Sequence, residues 1–219
     1  MANWAIKAAD LVRPVYDLIH ARLMVHQFLQ GDETPFQVLR EPGKAHGSKS
    51  YIWVARTTRL AEHPMTYYAY GNTRSGKFAQ NLYRGFTGVL QCDGYAGYNL
   101  LGDSVVRVGC WAHVRRKFFD DAAKVKGCFT TTKPLALLDE MFALEAKRLL
   151  LEPAERLRRR QVELKPVIDA FWAWCDTADA APKSRLGLAL TYARNQRQLL
   201  NRVLDYGEVD LNVKGGFEM

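Results

Sequence analysis

The stretch Val89-Leu90-Gln91-Cys92-Asp93-Gly94-Tyr95-Ala96-Gly97-Tyr98-Asn99 constrains the fold more than any other part of the chain. An apolar run ends abruptly in a carboxylate and passes at once into glycine-rich turn residues. That pattern predicts a buried strand delivering one acid to an open sheet edge, where α/β folds collect ligands and metals. A second acid, Asp32, stands in Gly31-Asp32-Glu33-Thr34-Pro35-Phe36-Gln37-Val38-Leu39, just before another strand-like run. Two such carboxylates point to a metal centre acting on phosphate. Hard cations such as magnesium take carboxylate oxygens, and phosphoryl transfer uses a pair of them roughly 4 Å apart. Spacing alone favours a plainer assignment, in which Asp32 is a cap or turn residue and Asp93 opens an Asp-Gly turn.

The flanking text supplies the elements around these acids. Residues 3 to about 26 carry apolar side chains at helical spacing, with Pro14 a point where the helix is open to splitting. Strands are expected at Phe36–Leu39, Tyr51–Arg56 and Thr66–Tyr70, and Glu41–Lys49 reads as a hairpin connection. A short helix over Ser75–Tyr83, a strand at Gly88–Cys92 and a fifth at Ser104–Gly109 complete this part. Pro35 fits a central strand poorly, so a bulge or a late strand start is expected there. Three consecutive strands followed by alternating helix and strand give an α/β, ribonuclease-H-like mixed sheet. From Trp111 the pattern turns helical, over 111–126, 134–151, 154–176 and 183–204, with breaks near Gly127, Pro153 and Pro182. The expected organisation is a linker helix over 1–27, a sheet core over 28–110 and a large all-helical insertion or second lobe over 111–204. Residues 205–219 form the last segment.

Length and composition allow a full hydrophobic core: 219 residues, 48% of them hydrophobic. The net charge of +8 and the pI near 9.4 point to an acidic partner, although a solvated basic surface would look the same. Basic residues cluster at Arg115-Arg116-Lys117 and at Arg156 with Arg158-Arg159-Arg160, which favours nucleic acid. On a helix, His113 and Arg116 share one face with Lys117 beside them, an arrangement that presents cations to phosphate. Taken alone, His113 is more often structural, and Trp111, Phe118 and Phe119 are expected in the core rather than against bases. Cys92, Cys110, Cys128 and Cys175 are too far apart for a Cys-x-x-Cys zinc site, and no disulfide framework is implied. Neither a signal-peptide pattern nor a run of membrane-spanning length occurs, so a soluble intracellular protein is expected.

Whole segments add a resemblance. Gly31–Leu39, Leu90–Asn99 and Gly109–Phe118 resemble, in this order, blocks of the transposase family of the bacterial insertion sequences numbered sixty-six, an Asp-Asp-Glu group. The similarity extends through Ser50–Arg56 and into the helical region to about Leu211. The resemblance implies a ribonuclease-H-like catalytic core that cuts and joins the ends of a mobile element in the bacterial cytoplasm. Asp32 and Asp93 would be its first two acids, catalytic and metal-binding, with Mg2+ or Mn2+ as cofactor. It further implies DNA (element ends and target) as partner, with a homo-oligomer or accessory transposition proteins alongside and no membrane. His113, Arg115, Arg116 and Lys117 become candidates for holding DNA.

The chain departs from that family after Asp205-Tyr206-Gly207-Glu208-Val209-Asp210-Leu211-Asn212, where the block with the third acid is expected. The identity of a third acid is therefore open, and Glu218 stands in the wrong context for it. The expectation is a fragment truncated at both ends, with an aberrant tail over 205–219 and impaired catalysis. An inactive remnant that still binds DNA or a full-length partner is the alternative.

Overall fold

The computed structural model of the protein describes residues 3–39, 41–124 and 132–213, with side chains left aside at 121–124. Cys128, the break near Gly127 and Glu218 lie outside these residues. The chain divides into two compact units, Met1–Arg107 and Val108–Met219.

The first unit is organised by a five-stranded sheet of order β3-β2-β1-β4-β5, with β1 (Phe28–Phe36), β2 (Ser50–Thr57), β3 (Thr66–Gly71), β4 (Val89–Cys92) and β5 (Val106–Gly109). β1, β2 and β3 pair antiparallel, in a register that sets Asp32 opposite Val54 and Trp53 opposite Ala69. β4 then lies parallel to β1, with Phe28, Leu29 and Gln30 opposite Val89, Leu90 and Gln91. A parallel neighbour needs a crossover, and α2 (Gly76–Leu82) supplies it, with the Ser75 hydroxyl accepting the Phe78 amide at 3.2 Å as its N-cap. α1 (Asn3–Met24) runs unbroken through Pro14. It is tied down where Tyr16 donates to the Tyr68 carbonyl at 2.8 Å and His20 to the Leu82 carbonyl at 2.7 Å. Leu23, Leu29, Trp53, Ala55, Leu82, Leu90 and Tyr98 fill the core.

One boundary differs from expectation in an informative way. The first strand begins at Phe28, well before the expected Phe36–Leu39, so Asp32 lies inside a strand rather than ahead of one. Phe28-Leu29-Gln30-Gly31 does not read as a strand locally because two of its residues are polar or lack a side chain; burial of Gln30 between β2 and β4 is a tertiary effect. Pro35 is accommodated without a bulge. β4 pairs only with residues 28–30, so at Pro35 the strand has a neighbour on the β2 side alone.

The second unit is helical: α3 (Trp111–Lys124), α4 (Thr132–Ala146), α5 (Pro153–Arg159), α6 (Lys165–Thr177) and α7 (Arg185–Asn201). α3 packs on α7 and α4 on α6 around Trp111, Phe118, Leu138, Met141, Phe171 and Trp172. α5 passes into α6 through a π-helical turn, Arg160–Leu164. Pro166 explains it, because a proline four residues after Val162 cannot take the regular hydrogen bond and crowds that carbonyl.

That turn helps to seat an ionic cluster. The Arg156 and Arg160 guanidiniums are fully buried on Glu145, and Arg156 also meets Asp210. Their remaining protons go to the carbonyls of Val203 (3.0 Å), Tyr206 (2.6 Å), Gly207 (3.2 Å) and Val209 (2.7 Å). Residues 203–210 are thereby stitched to Arg156 of α5 and Arg160 of the π turn, and in the described part of the tail expected to be aberrant Val209, Leu211 and Val213 are buried. Burial pushes the Glu145 pKa up, but Arg160 and Arg156 outweigh it and the net shift is downward from 4.5. A depressed carboxyl contributes stability above its unfolded value that is lost on acidification through the folded one. Glu145→Ala should cost about 3–5 kcal/mol by stranding buried cations, measured by urea unfolding. Glu145→Gln should remove the stability that wild type loses below pH 4.5.

Candidate functional site

β1 and β4 run side by side from Phe28 and Val89, and β4 ends at Cys92 while β1 continues along β2 to Phe36. Gln30 donates from Nε2 to Oε1 of Gln91 at 2.8 Å, both side chains buried, and pins the parallel register. Asp32 stands two residues beyond Gln30, and Asp93 two beyond Gln91. The register of the pairing thus carries both acids to one end of the β1–β4 pair. Asp32 is half-buried, and its Oδ1 accepts the Glu33 amide at 2.9 Å. Asp93 opens the expected turn, with Oδ1 accepting the Tyr95 amide at 2.9 Å. The turn occupies Oδ1 of Asp93, and Oδ2 faces Arg74 at 3.4 Å.

Glycines let the turn close against the rest of the unit. A Cβ on Gly97 would sit 2.1 Å from the Tyr95 ring, so a larger residue in the short 3₁₀ turn Ala96–Leu101 would force that ring to shift. On β1, a Cβ at Gly31 would lie 2.2 Å from the Tyr83 hydroxyl oxygen. Tyr83 packs in that space, on the face that Glu33 shares by alternation along the strand.

Glu33 is the residue the sequence did not single out. Its carboxylate accepts from Arg74 Nε at 2.7 Å, from Arg74 Nη2 and from the Tyr98 hydroxyl at 2.7 Å. Arg74 reaches Asp93 Oδ2 at 3.4 Å from the same guanidinium, which lies 4.0 Å over the Tyr95 ring. Tyr95 in turn donates to the Arg74 carbonyl. One guanidinium therefore bridges two acids from β1 and β4. Burial, reinforced by the Asp93 charge, pushes Glu33 up to about 7 despite the Tyr98 and Arg74 bonds that lower it. Alternation along β1 could have flagged Glu33 as Asp32's opposite-face neighbour; nothing near Arg74 in sequence announced its role.

The basic residues of α3 separate into two environments. His113 is only 7% exposed, so it is not part of a surface cation group. Arg115 pairs with Asp139 at 2.6 Å, Arg116 is exposed, and Lys117 stands 5.7 Å over the Tyr192 ring. The second basic cluster also divides, Arg156 and Arg160 being buried while Arg158 and Arg159 pair with Glu155 at the surface. Among the described residues no group of three His, Cys, Asp or Glu side chains is placed to hold a metal. Asp210 is committed to Arg156. No described helix is long and apolar enough to cross a membrane.

Arg74→Ala should raise the Glu33 pKa above 7, because it removes two influences that lower it and leaves Asp93 facing it. The side-chain carboxyl resonance of Glu33 followed by NMR against pH measures this directly. An unchanged or lower midpoint would show that Arg74 does not govern the pair.

The model of the Transposase IS66 family matches residues 1–213. Two Sinorhizobium fredii (strain NBRC 101917 / NGR234) relatives, the uncharacterized proteins y4qI and y4jD, are 27% and 29% identical over 97% and 96% of this chain. A third, y4hP of the same strain, is 29% identical over 81% of it. The chain spans less than half of each relative's length, 42%, 44% and 35% respectively. Among solved structures, the Drosophila P element transposase strand transfer complex is 14% identical, with a TM-score of 0.29, over 80% of this chain and 52% of that one. A TM-score that low does not establish a shared fold. Matched along nearly its whole length by the family model, the chain belongs to the Transposase IS66 family.

Proposed function

We propose that this chain is the catalytic-core portion of a DNA transposase, built on a ribonuclease-H-like sheet. It would cleave DNA strands at insertion-sequence ends and join them to target DNA by phosphoryl transfer. The observation that carries the reading is the delivery of Asp32 and Asp93 to one end of the parallel β1–β4 pair, in a member of a transposase family. The donor set suits a hard divalent cation in kind, since both residues offer carboxylate oxygens. Mg2+ or Mn2+ held by them would supply Lewis acidity at the scissile phosphate.

The chain's own residues set the frame for that chemistry. The Tyr95 amide orients the Asp93 carboxylate, and the Glu33 amide orients Asp32. Arg74 balances the charge that Glu33 and Asp93 bring together. Arg115, Arg116 and Lys117 would hold the DNA backbone, which positions a duplex without reading its sequence. Buried His113 would support α3 from within. The setting that goes with this activity is the bacterial cytoplasm, with a homo-oligomer or accessory transposition proteins assembling around the DNA.

Two acids make up only part of a two-metal centre. With no three-ligand group among the described residues, we read this span as impaired in catalysis by itself. The same observation favours one second reading, a catalytically inactive remnant that binds DNA or a full-length partner.

The test is a strand-cleavage assay with Mg2+ or Mn2+ on DNA carrying the element ends, using the whole-length protein that contains this span. Asp32→Asn and Asp93→Asn should each reduce cleavage beyond the roughly 10–100-fold loss that follows when a residue merely supporting a ligand is changed. DNA retention in a mobility-shift assay should be preserved. Wild-type cleavage by either variant would remove that acid from the centre.

A further inference from the structure

The helical unit holds a pocket of about 410 Å³ between α3 and α4, lined by Ala112, Arg115, Arg116, Phe119, Asp139 and Phe142. The four α3 residues fall at i, i+3, i+4 and i+7, and the two α4 residues at i and i+3, so each helix contributes one stripe. Facing stripes on packed helices are ordinarily apolar. Here two arginines and an aspartate stand among the rings, and the helices leave a space in the volume range of small-ligand sites. Phe119 is 51% exposed instead of joining the core with its neighbour Phe118, which is fully buried.

The lining specifies a ligand with two different faces. A flat apolar body would lie on the Phe119 ring, over which the Arg115 guanidinium stands at 5.8 Å from the centroid. An anion would meet the exposed Arg116. Asp139 does not repel that anion strongly, because its charge is matched by Arg115 at 2.6 Å, and its other oxygen can accept amino hydrogens. A bare phosphate would leave both phenyl rings unused, and an aliphatic acid would leave them without a stacking partner. A nucleotide uses Phe119, Arg116 and Asp139 together. In a duplex the faces of its base are covered by stacked neighbours, so only an unpaired, unstacked base presents one.

We propose that the α3–α4 pocket binds an unpaired nucleotide of a DNA strand, its base on Phe119 and its phosphate on Arg116. This rests on the DNA-transposase reading above and goes beyond it, since backbone contact alone needs no pocket and no ring. A strand-joining reaction separates and distorts DNA, and a protein site for one displaced nucleotide would hold such a strand in place.

The experiment measures fluorescence anisotropy of the full chain with three labelled DNAs of equal length: a blunt duplex, the same duplex carrying one bulged pyrimidine, and a polypyrimidine single strand. Wild type should prefer the bulged and single-stranded forms. Phe119→Ala should weaken those two about tenfold, the loss expected for one stacked base, and leave the blunt duplex unchanged. Phe119→Trp should retain the preference. Arg116→Ala should weaken all three and lower the salt slope by about one. Circular dichroism of the half-exposed Phe119 variants checks that they fold. Equal affinity of wild type for all three DNAs, or a Phe119→Ala variant that binds like wild type, overturns the pocket and leaves the transposase reading standing. Binding to none of the DNAs at low salt overturns both.

Discussion

The buried amide bond from Gln30 to Gln91 is the constraint on which the site depends. β1 is held antiparallel to β2 over eight residue pairs but parallel to β4 over three only. So short a pairing leaves register weakly specified by backbone alone, and a one-residue slip would turn every β4 side chain to the opposite face. A side-chain hydrogen bond between two buried amides penalises the slip, because either partner left unsatisfied costs about 1–3 kcal/mol. Asp32 and Asp93 each stand two residues further along, so the register that satisfies the glutamines also brings both acids to the level of the sheet where β4 ends.

Charge is handled in both units by the same principle: arginine forks absorb carboxylates that would otherwise repel or lie desolvated. In the first unit Arg74 spans Glu33 and Asp93, and Glu33 is pushed upward first by its burial and then by the Asp93 charge. In the second, Arg156 and Arg160 close on Glu145 and spend their remaining donors on carbonyls of residues 203–209. The two arrangements differ in exposure. Arg74 is more than a third exposed, although the Glu33 side chain it holds is buried. The Arg156–Glu145–Arg160 cluster is sealed, and breaking it exposes unpaired charge to the core.

Much of the mixed sheet was legible from the pattern of apolar runs and turn residues, because β2, β3 and β4 alternate or end cleanly at glycine. β1 was displaced in that account, since Gln30 and Gly31 are strand residues for tertiary reasons: one bonds Gln91 and the other makes room for Tyr83. The helices after Trp111 followed from periodicity, although the join of α5 to α6 is a π turn that periodicity cannot reveal. At the site, Asp32 and Asp93 stood out because each adjoins turn chemistry. Glu33, Arg74 and Tyr98 did not, for they are brought together by the crossover through α2 and the fold-back of residues 96–101, which no local window contains. His113 shows the converse: a helical wheel groups it with Arg116, but only the packed structure shows which side of the helix is covered.

The edge where β4 ends against β1 is proposed as a divalent-cation site held by Asp32 and Asp93. Paramagnetic broadening of backbone NMR signals by Mn2+ tests it without reliance on catalysis. Added in substoichiometric amounts, Mn2+ should broaden signals around Gly31–Glu33 and Cys92–Tyr95 first, and Asp93→Asn should abolish the effect there while leaving the spectrum folded. Broadening that begins elsewhere, or that persists at these residues in Asp93→Asn, would contradict the account.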